Sequence, residues 1–117
     1  MQTYTKQVLS GSTDGRGIAV AATATPGTLV HTAIAGATGS DSVYLWANNV
    51  TASSATLTVE FGGTATSDKI VSTLSIPPFS ENIPIIDGQV LRNGLVIRAF
   101  SGTANAINVN GYVLRIA

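Results

Sequence analysis

The sequence predicts an all-β protein, an antiparallel, jelly-roll-like β-sandwich of seven to eight strands. Three observations carry this. Apolar residues recur with a period of two in short runs, Gly, Pro, Asn and Asp punctuate the chain between those runs, and no amphipathic helix of three turns is present.

Taken in order, residues 1–27 have the weakest pattern. They are rich in Gly, Ser, Thr and Ala, and read as an N-terminal arm or extension with room for one strand at Ile18–Ala24. That leaves 28–117 as the sandwich domain. Thr28–Ala35 is two-sided, with Leu29, His31 and Ala33 opposing Val30, Thr32 and Ile34, so periodicity leaves its buried face open. Val43–Asn48 sets Val43, Leu45 and Ala47 against Tyr44, Trp46 and Asn48; both faces carry bulk, and the aromatic one is expected to meet a second layer or a neighbouring subunit.

Thr56–Phe61 alternates strictly, with Leu57, Val59 and Phe61 on one face. Lys69–Ile76 repeats the logic with Ile70, Leu74 and Ile76 inward, and the glycine-containing link between the two runs predicts an antiparallel hairpin. Pro77-Pro78 ends that strand, and Pro84 confines Asn82–Ile86 to a sheet edge because proline has no amide proton for a ladder. Asp87-Gly88 and Asn93-Gly94 bracket Gln89–Arg92 as a compact double turn feeding the strand Leu95–Phe100. Ser101–Asn105 is expected to join it as a hairpin to Ala106–Ile116. There the apolar phase changes from Ile107 and Val109 to Tyr112, Leu114 and Ile116, which predicts a β-bulge at Gly111.

Composition narrows the function classes. Twelve of 117 residues are charged, whereas Ala, Gly, Ser and Thr supply 53. A typical domain is about 25% charged, so part of this surface is expected to be covered by other subunits. Six basic residues balance six acidic ones, which leaves no single-sign field for nucleic acid or an anionic membrane. Without cysteine there is no disulfide, thiolate metal site or thiol nucleophile. No apolar run has the length of a signal peptide or a spanning helix, so the chain is expected to be soluble and made in the cytoplasm.

No catalytic fingerprint stands out, and the chain is read as a non-enzyme without cofactor or metal. His31 is the lone histidine and no Gly-x-Ser-x-Gly elbow exists, so His31 receives no catalytic role. Asp14, Asp41, Asp68 and Asp87 each sit beside Gly or Ser and read as turn-makers; Glu60 and Glu81 remain for any paired-carboxylate mechanism. Gly11–Gly17 lacks the Gly-Lys-Ser/Thr ending of a phosphate loop, and Asn49-Val50-Thr51 matches a glycosylation acceptor only by pattern. The interface candidates are Trp46, for its large rigid ring, and Arg92, Arg98 and Arg115, whose planar forks suit a neighbour's carboxylates or carbonyls.

Thr28–Ala33, Val43–Asn48, Leu57–Gly63, Leu91–Phe100 and Ile107–Ile116 together resemble small structural proteins of tailed bacteriophages, over about residues 28–117. The resemblance implies a virion component: a capsid decoration (cement) protein on the outer capsid surface, bound to the major capsid protein as a symmetric homo-oligomer, a trimer being favoured. The alternative is a host-recognition or carbohydrate-binding β-sandwich module of a phage fibre or tail.

Overall fold

The computed structural model describes residues 2–117, which contain nine strands and one 3-10 turn at Thr66–Asp68. The strands are β1 Tyr4–Val8, β2 Ile18–Ala19, β3 Thr28–Thr32, β4 Ser40–Asn49, β5 Ala55–Phe61, β6 Lys69–Ile76, β7 Ile83–Leu91, β8 Val96–Ser101 and β9 Ile107–Ile116. They form a β-sandwich of two antiparallel sheets. One is ordered β1-β9-β4-β7, with β2 also on β9, and the other β3-β8-β5-β6. Of the links from β3 onward only β5 to β6 stays within a sheet; the rest cross between layers.

Period-two alternation builds the core from both inner faces. Along β4 the buried positions are Asp41, Val43, Leu45, Ala47 and Asn49, while the residues between them are half-buried. Leu57 and Val59 of β5, Ile97 and Ala99 of β8, and Ile107, Val109 and Val113 of β9 complete the interior with Ile76 and Ile86. Each fully buried aliphatic side chain contributes roughly 1.5–3 kcal/mol.

The N-terminal segment is built into this body and is not an arm set apart from it. β1 pairs with β9 from Tyr4 opposite Ile116 to Val8 opposite Tyr112, and β2 continues along β9 at Val109 and Asn108. Leu9, Ile18 and Val20 are core residues. The segment inserts single inward side chains between turns, so no periodic run advertises it. Met1, the first residue of the expected arm, lies outside the described residues.

Several register expectations are overturned. β9 pairs with β4 without interruption from Ser40 opposite Ile116 to Asn49 opposite Ile107, so Gly111 is no bulge in this ladder. Tyr112, Leu114 and Ile116 therefore point away from the core and Val113 points into it, the apolar phase change reflecting a second apolar face. Asp87-Gly88 is not a turn: β7 runs through it, with Gly88 (φ +87°) at a register shift opposite Val43 and Tyr44. Ser101–Asn105 makes no hairpin, because β8 and β9 lie in different sheets.

β6 is an edge strand with an irregularity between the Leu57–Leu74 and Val59–Val71 pairs. Val71 thereby reaches the core margin, while Ile70 and Leu74 stay open to solvent and only Ile76 is fully buried. In β3 a register shift between Leu29 and His31 turns Val30 and His31 both inward, which explains the two-sided sequence there.

Candidate functional site

The outer face of the five-stranded sheet is the most distinctive surface. The register sets it out in rows across the strands. Tyr4 and Ile116 share one row, Lys6, Leu114, Ser42 and Val90 the next, then Val8, Tyr112, Tyr44 and Asp87, and then Asn110, Trp46 and Pro84. The Tyr44 and Tyr112 rings stack at 5.0 Å between centroids and 20° between planes, and Trp46 lies diagonally 6.1 Å from Tyr112. Lys6 Nζ sits 5.0 Å from the Tyr112 centroid, a cation–π contact that lays the lysine stem along the face. Gly88, whose φ of +87° suits glycine, lies beside the Tyr44 ring.

This face is open. Tyr4 is 63%, Val90 58% and Val8 52% exposed. One end closes with a reciprocal amide pair in which Asn82 Nδ2 donates to Asn110 Oδ1 at 3.0 Å and Asn110 Nδ2 to Asn82 Oδ1 at 2.9 Å.

Trp46 is thus on an outer face, as its alternation with Leu45 and Ala47 requires. The three arginines are dispersed. Arg92 is exposed and donates to the Ala37 carbonyl at 2.9 Å. Arg98 is half-buried on β8 and donates to the Gly27 carbonyl at 3.3 Å. Arg115 lies on the inward side of β9, where its Nε and Nη2 donate to Asp41 Oδ1 and Oδ2 at 2.8 and 3.0 Å.

No known protein family, curated protein or solved structure matches this chain.

Beneath the Arg115 pair lies a polar cluster that the sequence does not reveal. His31 and Asp41 are buried, and His31 Nε2 is 2.8 Å from Asp41 Oδ2. The Ser10 amide donates to His31 Nδ1 at 3.0 Å, so Nδ1 carries no proton and the ring's proton lies on Nε2, donated to Asp41. Ser10 Oγ stands 3.3 Å from the same Nδ1 and accepts from the Thr32 amide at 2.6 Å, and Ile34 N–H donates to Asp41 Oδ2 at 3.1 Å.

Serine, histidine and aspartate thus line up in the order of a hydrolytic triad. The single in-plane lone pair of Nδ1 already faces the Ser10 amide, however, and the Arg115 fork holds the aspartate from the other side. The geometry describes a clamp that fastens the N-terminal segment to β3, β4 and β9. Ser10, His31, Asp41 and Arg115 are scattered along the sequence, so no local motif could have announced them. The turn-making role expected for Asp41 is overturned: it sits inside β4.

Burial, the largest influence, pushes the Asp41 carboxyl up. The hydrogen bonds from Arg115 and His31, the Arg115 charge and the Ile34 amide outweigh it and hold the group below its ordinary value of 3.8. The carboxylate in turn raises Arg115 above its usual range.

Glu60 and Glu81 serve different surroundings. Glu81 is exposed before β7, whereas Glu60 on β5 is fully buried under the loop 25–27. Its Oε2 accepts from Thr25 Oγ1 at 2.5 Å and its Oε1 from the Gly27 amide at 2.8 Å. Glu60→Ala strands that amide in the interior and is expected to lower stability by about 2 kcal/mol. Urea unfolding reads the loss, and limited proteolysis should show new cleavage within residues 21–27.

Asn49 of the glycosylation-like triplet is also buried. Its Nδ2 donates to the Ser53 and Ile76 carbonyls at 2.8 and 3.1 Å, so the atom that would carry a glycan ties β4 to the end of β6.

Proposed function

We propose that the chain is a structural contact protein of a virion, a capsid decoration (cement) protein that binds the outer capsid surface as a symmetric oligomer and stabilises the shell. The observation that carries this reading is the open aliphatic and aromatic outer face of the five-stranded sheet, a surface suited to burial against other protein. The strand order, which we read as jelly-roll connectivity, and an elongated outline of 49 × 27 × 20 Å, with the sheet face along its length, also suit a body laid lengthwise on a lattice.

The mechanism is mass action. A protein that binds the assembled shell but not its separated subunits stabilises the shell, by about 2.7 kcal/mol per site when its free concentration is a hundred times Kd. Contact area does this work, with the buried hydrogen bonds of Asp41 and Glu60 holding the N-terminal segment to the sandwich.

The test is co-sedimentation of the purified protein with capsids of a tailed phage, followed by heating. Bound protein is expected to raise the temperature at which the shells break open. Saturating protein that neither pellets with capsids nor changes that temperature overturns the proposal. Binding to soluble glycans through Tyr44, Trp46 and Tyr112 would favour the carbohydrate-binding alternative.

A further inference from the structure

We infer that the outer face of the five-stranded sheet is self-complementary and is covered by a second copy of this chain. The two copies are related by a two-fold axis running along the strands, so that β9 of one lies over β4 of the other and the β1 edge lies over the β7 edge. The inference rests on reading this face as a contact surface, and does not depend on what the oligomer binds.

The distribution of charge points to this occupant. The outward residues of the two central strands, Ser42, Tyr44, Trp46 and Asn48 on β4 and Asn108, Asn110, Tyr112 and Leu114 on β9, include no charge. Lys6 stands on β1 and Asp87 on β7, at opposite edges of the same face and in adjacent rows. An axis along the strands, centred between β9 and β4, inverts the order of strands across the face and keeps the level of each row. It therefore brings Lys6 of each copy over Asp87 of the other, twice per pair, and sets Tyr112 of one against Tyr44 of the other. An axis running across the strands would instead set like charges together, Lys6 over Lys6 and Asp87 over Asp87.

The available area is close to what a specific pair needs. The four long strands of the sheet contribute five, ten, ten and nine residues. At about 4.8 Å between strands and about 3.4 Å per residue they present about 550 Å2 a side. With β1 over β7 the shorter β1 limits the overlap at both edges, so a pair buries about 1,000 Å2, at the size that marks a specific interface. Two such faces pack as aligned sheets about 10 Å apart, the spacing at which the rings and the Leu114, Val8 and Val90 side chains interdigitate.

The experiment is sedimentation equilibrium of the full chain, with charge exchange as the readout of geometry. The unaltered protein is expected to be a dimer. Lys6→Glu and Asp87→Lys are substitutions of exposed groups outside the core, and circular dichroism is the check that each variant folds. Each alone places like charges at both edges of the pair and should weaken dimerisation roughly tenfold or more. An equimolar mixture of the two restores opposite charges at both edges, and should form a heterodimer at the unaltered affinity.

A monomer at high concentration overturns the inference, as does a trimer, the state that the phage resemblance implies. So does a dimer indifferent to both substitutions, or a mixture that shows no rescue. A monomer that still binds capsids removes only the pairing, whereas a dimer that ignores capsids removes only the cement reading.

Discussion

Asp41→Ala is expected to lower the unfolding free energy by roughly 3–5 kcal/mol, a large share of the about 5–15 kcal/mol that a domain possesses. The carboxylate accepts from Arg115 Nε and Nη2, from His31 Nε2 and from the Ile34 amide. Its removal leaves the His31 and Ile34 donors without an acceptor in the interior, while Arg115, about 30% exposed, can turn towards water. Asp41→Asn keeps one acceptor and should lose less. Urea unfolding at neutral pH measures both.

The same carboxylate sets an acid limit on the fold. Its folded-state pKa is depressed below 3.8, so the unfolded chain takes up the proton first. The stabilisation is fully present above 3.8 and is lost as pH falls through that value towards the lower folded-state pKa. Unaltered protein should thus lose stability along this limb more steeply than Asp41→Asn, whose side chain does not titrate. Parallel acid limbs for the two proteins would rule out this role.

Gly111→Ala is expected to be of similar severity, about 4 kcal/mol, for a steric reason. A Cβ at Gly111 would stand 2.0 Å from the Tyr44 carbonyl oxygen and 3.1 Å from Leu45 Cα, and φ is +147°. The obstacle is the backbone of β4, paired on both sides, so it cannot step aside as a flexible side chain would. A fall in Tm of roughly 15 °C should follow. Gly94→Ala is the control. Gly94 also has positive φ (+67°) but nothing within 4 Å of its Cβ, so only the backbone preference is lost, about 1 kcal/mol. Equal losses at the two positions would show that the close approach to Tyr44 is not what requires glycine at 111.

Gly111 also shows where sequence reading fails. A change of apolar phase along one strand has two physical causes: an extra residue that flips the faces, or a second face that is itself apolar. Both give the same string of letters. Here the second holds, because Tyr112, Leu114 and Ile116 join Tyr44 and Trp46 on an outer surface. Val30 and His31 are the converse case, with a real irregularity in β3 hidden in a run that alternates on paper. Asp87-Gly88 has turn chemistry, yet the same tolerance of positive φ serves within β7.

What the sequence by itself determined is local: strands in place of helices, the β5–β6 hairpin, Pro84 on an edge strand, and Trp46 on the face opposite Leu45. These follow from a period of two, turn residues and the missing proline donor, none of which depends on distant residues. The tertiary structure alone decided which strands pair, that β8 and β9 part into different sheets, and that Tyr4–Val8 closes the edge of β9. It also assembled Ser10, His31, Asp41 and Arg115 into one clamp and buried Glu60 under loop 25–27. Hydrophobic alternation says only that a side is buried, and is silent on what buries it; partners far apart in the chain are chosen by packing the layers together.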